Sequence, residues 1–412
     1  MNWQSLGFKD DPLKTTPITD ETLQLYIGHD DKVKACQQVL TSSNVRIVIE
    51  GARGVGTTSF ANYLRFTAQN NKLYFTTKNE IKVEQGWRLE TLLAVIISHL
   101  VRELELFTDV PAILKDSRFQ NAKSLSSRIA ETYRSFGIEA FGGGVNYGRT
   151  AGIVTQPVIV PSPTLGHHVE DLVALIREHG YKHGILLQFN NLDIGEVHDG
   201  NEMKYLFNAL RDYTQMDGTN WLFVGDVGLR KFIAQQVDRL DDIISYEVKI
   251  PPLNVAEFSE MLAKRFDYYK TSPKVESPID MKVFNYLYKL TDGRLRYIFG
   301  LISRLMNSLH VGDLTNKITI DLAKPMLIKL ARDRVALTDI TGAEEIVLKL
   351  LVNLKNPKPS DIAKAINKTP QYTGRLISSL QDKQLITIKK IGNIKCYSPS
   401  LDATIAYYQE PD

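Results

Sequence analysis

Two hydrophobic periods run through this chain, and the change from one to the other marks its organisation. Short apolar or alternating runs predict buried strands: RIVIE at 46–50, KLYFTTK at 72–78, GILLQF at 184–189, NWLFVG at 220–225 and YEVKI at 246–250. Between them, apolar residues recur every three or four positions in HDDKVKACQQVLTSS, TSFANYLRFTAQ, RLETLLAVIISHLVREL, a segment from about Val169 to His179, EMKYLFNALRDYTQ and LRKFIAQQV, which predicts helices. Strands alternating with helices imply a mostly parallel sheet covered on both faces. From Asn254 to about Leu330 the pattern is helical throughout, and from Ala336 to Tyr397 it reads as three helices and a hairpin. Residues 137–165, rich in Gly, Pro, Val and Thr, read as a hairpin or extended loop inserted in the first domain. The expected domains are therefore 1–252, 253–335 and 336–412, and there is no internal repeat.

The turn after the first strand, GARGVGTTSF at 51–60, carries candidate chemistry. Gly51 and Gly56 stand at the spacing GxxxxGK[ST] of a phosphate-binding loop, whose backbone N–H groups and following helix N-terminus hold anionic oxygens. Gly51, Arg53, Gly54, Val55, Gly56, Thr57, Thr58 and Ser59 are thus the candidate nucleotide-binding residues, for ATP or ADP. Thr58 occupies the hydroxyl position that binds Mg²⁺. Thr57 occupies the lysine position, where it supplies a hydrogen bond and no charge. A transition-state cation matters more for turnover than for binding, so its loss points to slow chemistry at a site that still binds. Arg53 is the cation nearest in sequence. The strand GILLQF should end in the acidic residues that hold Mg²⁺ through water, yet it ends in Asn190 and Asn191. Asparagine can orient a water but cannot balance Mg²⁺ or take a proton. Asp193 is either a substitute carboxylate or a cap on the next turn.

This order of elements resembles the AAA+ and STAND-type P-loop ATPases, close to the clade of archaeal and eukaryotic origin-recognition initiators. GFKDDPLKTTP followed by YIGHDD is similar to the stretch that lies over the adenine in that clade, with Gly28, His29 and Asp30 where a Gly-Arg-Glu turn is usual. WLFVGD resembles the sensor-1 strand, with Asp226 near the polar position. IPPLNVAEFSEMLAKRF resembles the first lid helix, and TDGRLRYIFGLISRL the sensor-2 segment, which implies that Arg296 faces the γ-phosphate. Arg239 reads either as an arginine supplied to a neighbouring subunit or as a surface ion pair with Asp238, Asp241 or Asp242. The resemblance implies an α/β fold, a P-loop NTPase parallel sheet with helices on both faces, followed by an all-helical lid domain and a winged helix-turn-helix. The catalytic candidates are then Asn190, Asn191, Asp193 and Arg296. His167 and His168 have no partner at metal-ligand spacing.

In the C-terminal segment, GAEEIVLKLLVNL, KPSDIAKAIN and KTPQYTGRLISSLQDKQL predict three helices, the last opened by Thr369 and Pro370, and ITIKKIGNIKCYSP a hairpin around Gly392 and Asn393. In a winged helix the third helix enters the major groove and the hairpin follows the backbone. Gln371, Tyr372, Thr373 and Arg375 would project from the start of the third helix, with Lys389, Lys390 and Lys395 on the wing. Charge supports this: residues 355–395 hold nine Lys and Arg against Asp361 and Asp382, a local charge of +7 in a chain whose total is +3. Double-stranded DNA is the expected partner, with further copies of the chain or a partner protein.

Composition adds little more. The 412 residues, 43% hydrophobic and 24% charged, suit two or three domains with a sizeable core. Cys36 and Cys396 are the only cysteines, far apart, which fits a reducing cytoplasm and argues against a disulfide framework. The N-terminal stretch lacks an apolar run after a basic start, so no secretory leader is expected. The longest apolar run, Leu92 to Val101, is too short to span a bilayer. Three readings stay open: a DNA-binding AAA+-like protein with nucleotide as a structural or switching ligand; an active ATPase of initiator, transposition-regulator or defence type, with substituted catalytic groups; and a pseudo-ATPase scaffold whose winged helix binds protein.

Overall fold

The structure, a computed structural model, describes residues 2–106, 112–135, 160–194, 199–309, 317–354, 357, 359–391 and 394–408. The chain divides into two compact units, Thr16–Met261 and Met1–Thr15 with Leu262–Asp412. In the first, strand β1 (Arg46–Gly51) follows helix α1 (Asp30–Val39) and leads into α2 (Thr57–Asn70). Then come β2 (Ile81–Lys82), α3 (Leu89–Leu106), α4 (Ser117–Ser135), α5 (Ser162–Glu178), β3 (Ile185–Asn190), α6 (Gly200–Leu210), β4 (Thr219–Gly225), α7 (Leu229–Gln236), α8 (Asp238–Asp241) and β5 (Tyr246–Ile250). The five strands form one parallel sheet in the order β2-β3-β4-β1-β5.

Alternation along the strands divides the core between the two faces. Val48, Leu187, Phe189, Trp221 and Phe223 pack with the helices α3, α5 and α6. Ile47, Ile49, Leu186, Leu222 and Val224 pack with α1 and α2. Parallel strands buried on both faces read as continuous apolar runs, which is how RIVIE, GILLQF and NWLFVG announced themselves. Asn220, within one of these runs, is fully buried and acts as a clamp: its Oδ1 accepts from Val45 N at 2.8 Å and its Nδ2 donates to the carbonyls of His183 and Ile185.

The expected strand KLYFTTK does not form. Only Phe75 bridges to Ile185, and the pairing strand is the short β2. The end of the segment is engaged elsewhere: Arg65 of α2, which is fully buried, donates from its guanidinium to the carbonyls of Thr77 and, at 3.2 Å, Lys78. Burial without a directly bonded carboxylate pushes this guanidinium down to about 10. Arg65→Leu leaves the buried Thr77 carbonyl without its donor, so a loss of roughly 1–3 kcal/mol is expected in urea unfolding of the full chain; a loss below about 0.5 kcal/mol would show that the segment re-pairs. No element is expected from the pattern between 107 and 136, yet α4 forms there, burying Phe119, Ala122 and Ile129. The inserted segment at 137–165 lies mostly outside the described residues. Its end, from Ser162, is the first turn of α5 and not a loop, with Pro163 among the opening positions that suit proline.

In the second unit, Phe8 packs edge-on against Trp3 and Phe266, and Lys9 N donates to Tyr269 O at 2.7 Å. Helix α9 (Val255–Tyr269) runs across the division between the units, and α10 (Met281–Leu290), α11 (Leu295–Ser308) and α12 (Ile320–Ala336) follow. Next come α13 (Gly342–Asn353), α14 (Pro359–Ala365), α15 (Pro370–Asp382), the antiparallel hairpin β6 (Ile386–Ile391) and β7 (Ile394–Pro399), and α16 (Leu401–Tyr407). Asp402 of α16 pairs with Arg304 of α11 and Arg334 of α12, both at 3.2 Å, tying the end of the chain to those helices.

Candidate nucleotide and nucleic-acid sites

The loop 51–56 leaves β1 at the carboxyl end of the sheet, between β4 and β5, where open α/β sheets place ligands. Gly51 is required by close packing: a Cβ there would lie 2.7 Å from both the Ile250 carbonyl oxygen and Thr57 Cγ2. Gly56 is required by conformation, because its φ of 109° lies in the left-handed region. Gly54 is also left-handed, Val55 is buried beneath the loop, and Arg53 is exposed. No side chain caps α2 at Gly56, so its first-turn amides are left for a ligand or solvent. The Ser59 hydroxyl accepts from Ile18 N at 3.2 Å. Asn62 Nδ2 donates to Ile18 O at 2.7 Å, which lays the preceding segment along α2. Farther along, Tyr26 stacks on Tyr63 at 4.3 Å, and Glu257 accepts from His29 N at 3.2 Å. Burial of His29 lowers its pKa, which favours the neutral ring.

Leu186, Gln188 and Asn190 share the sheet face that meets α2, so Asn190 reaches the loop. Its Nδ2 donates to Thr58 Oγ1 at 3.2 Å, and its Oδ1 accepts from Gln188 Nε2 at 3.0 Å. Both amides are buried, and Gln188 Oε1 has no partner. Sequence reasoning missed Gln188, although a polar residue two positions before Asn190 within a buried strand was a visible signal. Asn191 is exposed with φ 63°. Asp193 Oδ1 accepts from Asp226 N at 2.8 Å, which joins the ends of β3 and β4. Glu50 Oε2 accepts from Gly228 N at 3.0 Å and Arg230 N at 3.2 Å.

Mg²⁺, which the fold family implies, does not suit these residues. The Asn190 amide presents N–H to the hydroxyl oxygen that would be a metal ligand, and the nearby carboxylates Asp193 and Glu50 are hydrogen-bonded to backbone amides. Among the described residues no group of three His, Cys, Asp or Glu is placed to hold a metal ion. Arg239 is exposed on α8, where Asp241 pairs with Arg230 instead. Arg296 is exposed near the start of α11, in the second unit.

Thr369 opens α15, its hydroxyl accepting from Tyr372 N at 3.3 Å. Gln371, Tyr372 and Arg375 are exposed. Thr373 corrects the expected projection: it is fully buried, on the stripe shared with Ile377 and Leu380, and its hydroxyl donates to Thr369 O at 3.1 Å. Lys390 stands opposite Lys395 in the hairpin, and Lys389 opposite Cys396. Lys383, counted in the local charge, is engaged: its Nζ donates to Glu344 Oε2 at 2.8 Å and to Asp339 O at 3.0 Å.

Glu344 is buried, closes a capping box with Thr341 and also accepts from Ser379. Burial alone would raise its pKa; hydrogen bonds from Lys383, Ser379 and Thr341 outweigh this and hold the carboxyl at about 2. Its folded value lies below the ordinary glutamate value of 4.5, so its contribution, about 3 kcal/mol, is complete above pH 4.5 and fades as pH falls toward 2. Glu344→Gln is expected to remove that contribution at pH 7 and to flatten the acid limb of stability measured by urea unfolding. An unchanged acid limb would assign the effect to another group.

Comparison with solved structures gives the fold. The chain is similar to a Walker-type ATPase of Pyrococcus abyssi, with 14% identity over 96% of this chain and 99% of that one and a TM-score of 0.50. The likeness is one of fold: a parallel α/β sheet with helices on both faces, with helices following it in the chain. The Aeropyrum pernix ORC2 protein in its ADPNP-ADP complexes matches at 12% identity and TM-score 0.49, covering 97% of this chain and 96% of that one. The Aeropyrum pernix ORC1 protein in complex with DNA matches at 14% identity and TM-score 0.43, covering 92% and 90%. No protein-family model and no curated protein matches the chain. Among the described residues, no helix is long and apolar enough to cross a membrane.

Proposed function

We propose that this protein binds double-stranded DNA through residues 336–412 and holds ATP or ADP at residues 51–59 as a structural or switching ligand, with little or slow hydrolysis. One observation carries the nucleotide reading: the loop keeps its glycine geometry and open first-turn amides, while the two positions that drive hydrolysis present Thr57 and the Asn190 amide. Binding needs the former, and turnover needs the charges that are missing. Likeness of fold to a Walker-type ATPase supports the same reading. The DNA reading rests on the order of three helices and a hairpin, on exposed Gln371, Tyr372 and Arg375 at the start of the third helix, and on Lys389, Lys390 and Lys395 in the hairpin. Thr373 has no part in it. The protein acts with further copies of itself or with a partner protein.

The test is to extract nucleotide from the purified chain and to follow ATP turnover. Bound adenine nucleotide with turnover below about 0.01 per second is expected. Turnover near 1 per second or faster would favour an active ATPase, and a chain that neither carries nor binds nucleotide would be a scaffold.

A further inference from the structure

The polar groups around Thr58 run in one direction. Gln188 Nε2 donates to Asn190 Oδ1 at 3.0 Å, which leaves the other end of the Asn190 amide, Nδ2, to donate to Thr58 Oγ1 at 3.2 Å. With its oxygen occupied as an acceptor, the Thr58 hydroxyl has its own hydrogen left to give. A carboxylate at 190 would do the reverse, accepting that hydrogen or a metal-bound water and supplying negative charge to a dication. The three side chains make a relay of donors ending at the mouth of the loop, the polarity an anionic oxygen needs and a cation does not. At the other end of this chain of bonds Gln188 Oε1 is buried with no hydrogen-bond partner.

Nearby carboxylates do not repair the site for a metal. Glu50 is held by the amides of Gly228 and Arg230, and Asp193 by the amide of Asp226, so recruiting Glu50 would uncap the N-terminus of α7 and recruiting Asp193 would break the link between the ends of β3 and β4. The two departures also compensate each other. Losing lysine removes one positive charge from the site, and losing the acid removes one negative charge. Left for binding are the backbone amides, the positive end of α2 and the Thr58 hydroxyl, a set that grips phosphate oxygens without a metal.

We propose that this loop takes its nucleotide as a metal-free polyphosphate, with Asn190 and Gln188 turning Thr58 from a magnesium ligand into a phosphate hydrogen-bond donor. The proposal rests on the nucleotide-binding reading above. Its test is calorimetric titration of the full chain with ATP, in EDTA and in excess MgCl₂ at matched ionic strength. The expected result is a Kd that Mg²⁺ changes by less than about fivefold. Tightening by Mg²⁺ of about fivefold or more would overturn the metal-free inference and leave nucleotide binding standing, whereas no binding in either buffer would overturn both. Asn190→Asp supplies the second arm. It keeps the acceptor used by Gln188 and puts a negative oxygen against Thr58, so binding is expected to weaken about tenfold in EDTA and to recover with Mg²⁺. If that variant is as indifferent to Mg²⁺ as the parent, the amide is not the determinant and the inference fails.

Discussion

Restoring both missing groups, Thr57→Lys with Asn190→Asp, is expected to raise ATP turnover by about 100-fold or more, because removal of a single transition-state donor costs that much in enzymes that have one. The geometry supports productive placement. Thr57 opens α2 with its side chain against Gly51, so a lysine there starts inside the loop. An aspartate at 190 keeps the oxygen that accepts from Gln188 and presents a second acceptor where Nδ2 now faces Thr58. The gain should be cooperative, since lysine without a metal and a metal without lysine each leave one charge on the transferring phosphate unbalanced. Thr57→Lys alone is expected to tighten binding more than it speeds turnover. Steady-state phosphate release measures all three variants. No gain in the double variant would mean that the site is misaligned beyond these two positions.

The second large effect concerns DNA. Lys389→Ala with Lys390→Ala is expected to lower the magnitude of the slope of log affinity against log salt by about 2, as each phosphate contact contributes about 0.9. At physiological salt this corresponds to a loss of roughly 10- to 100-fold in affinity for any duplex sequence. Arg375→Ala, at the exposed start of α15, should take a further unit of slope if it meets phosphate, or change sequence preference at constant slope if it meets a base edge. Lys383→Ala separates charge from architecture. Its ammonium is bound to Glu344 and the Asp339 carbonyl, so losing it should lower stability and leave the salt slope unchanged. Titration of a labelled duplex by fluorescence anisotropy at several salt concentrations reads these slopes. An unchanged slope in the hairpin variant would remove the wing from the interface.

Much of the sheet was legible because parallel strands buried on both faces leave unbroken apolar runs, and β1, β3 and β4 were read within a residue or two. KLYFTTK failed for a reason outside its own pattern. The residue that takes the carbonyls at its end, Arg65, lies on α2, and no local periodicity reports a buried guanidinium bonded to carbonyls. Helix α4 escaped because its apolar positions are sparse, and α5 began early because a Pro-containing first turn resembles the loop before it. At the site, spacing located Gly51, Gly56, Thr58 and Asn190, but the direction of the Asn190–Thr58 bond needed Gln188, which only the sheet face makes relevant. Thr373 was misread because position within a helix start does not reveal which side is covered; its buried stripe with Ile377 and Leu380 does. The capping pair of Thr341 and Glu344 was visible as a Ser/Thr-x-x-Glu pattern, whereas the link to Lys383 was not.

A nucleotide-switched DNA-binding protein links its two ligands in one molecule without hydrolysis. The most direct measurement is the affinity of the full chain for a labelled duplex, with and without saturating nucleotide, while nucleotide consumption is followed in the same samples. The expected result is binding that weakens steeply with salt and shifts by about fivefold or more when nucleotide is present, with the nucleotide left intact. Affinity that ignores nucleotide, or a duplex that does not bind at low salt, would contradict it.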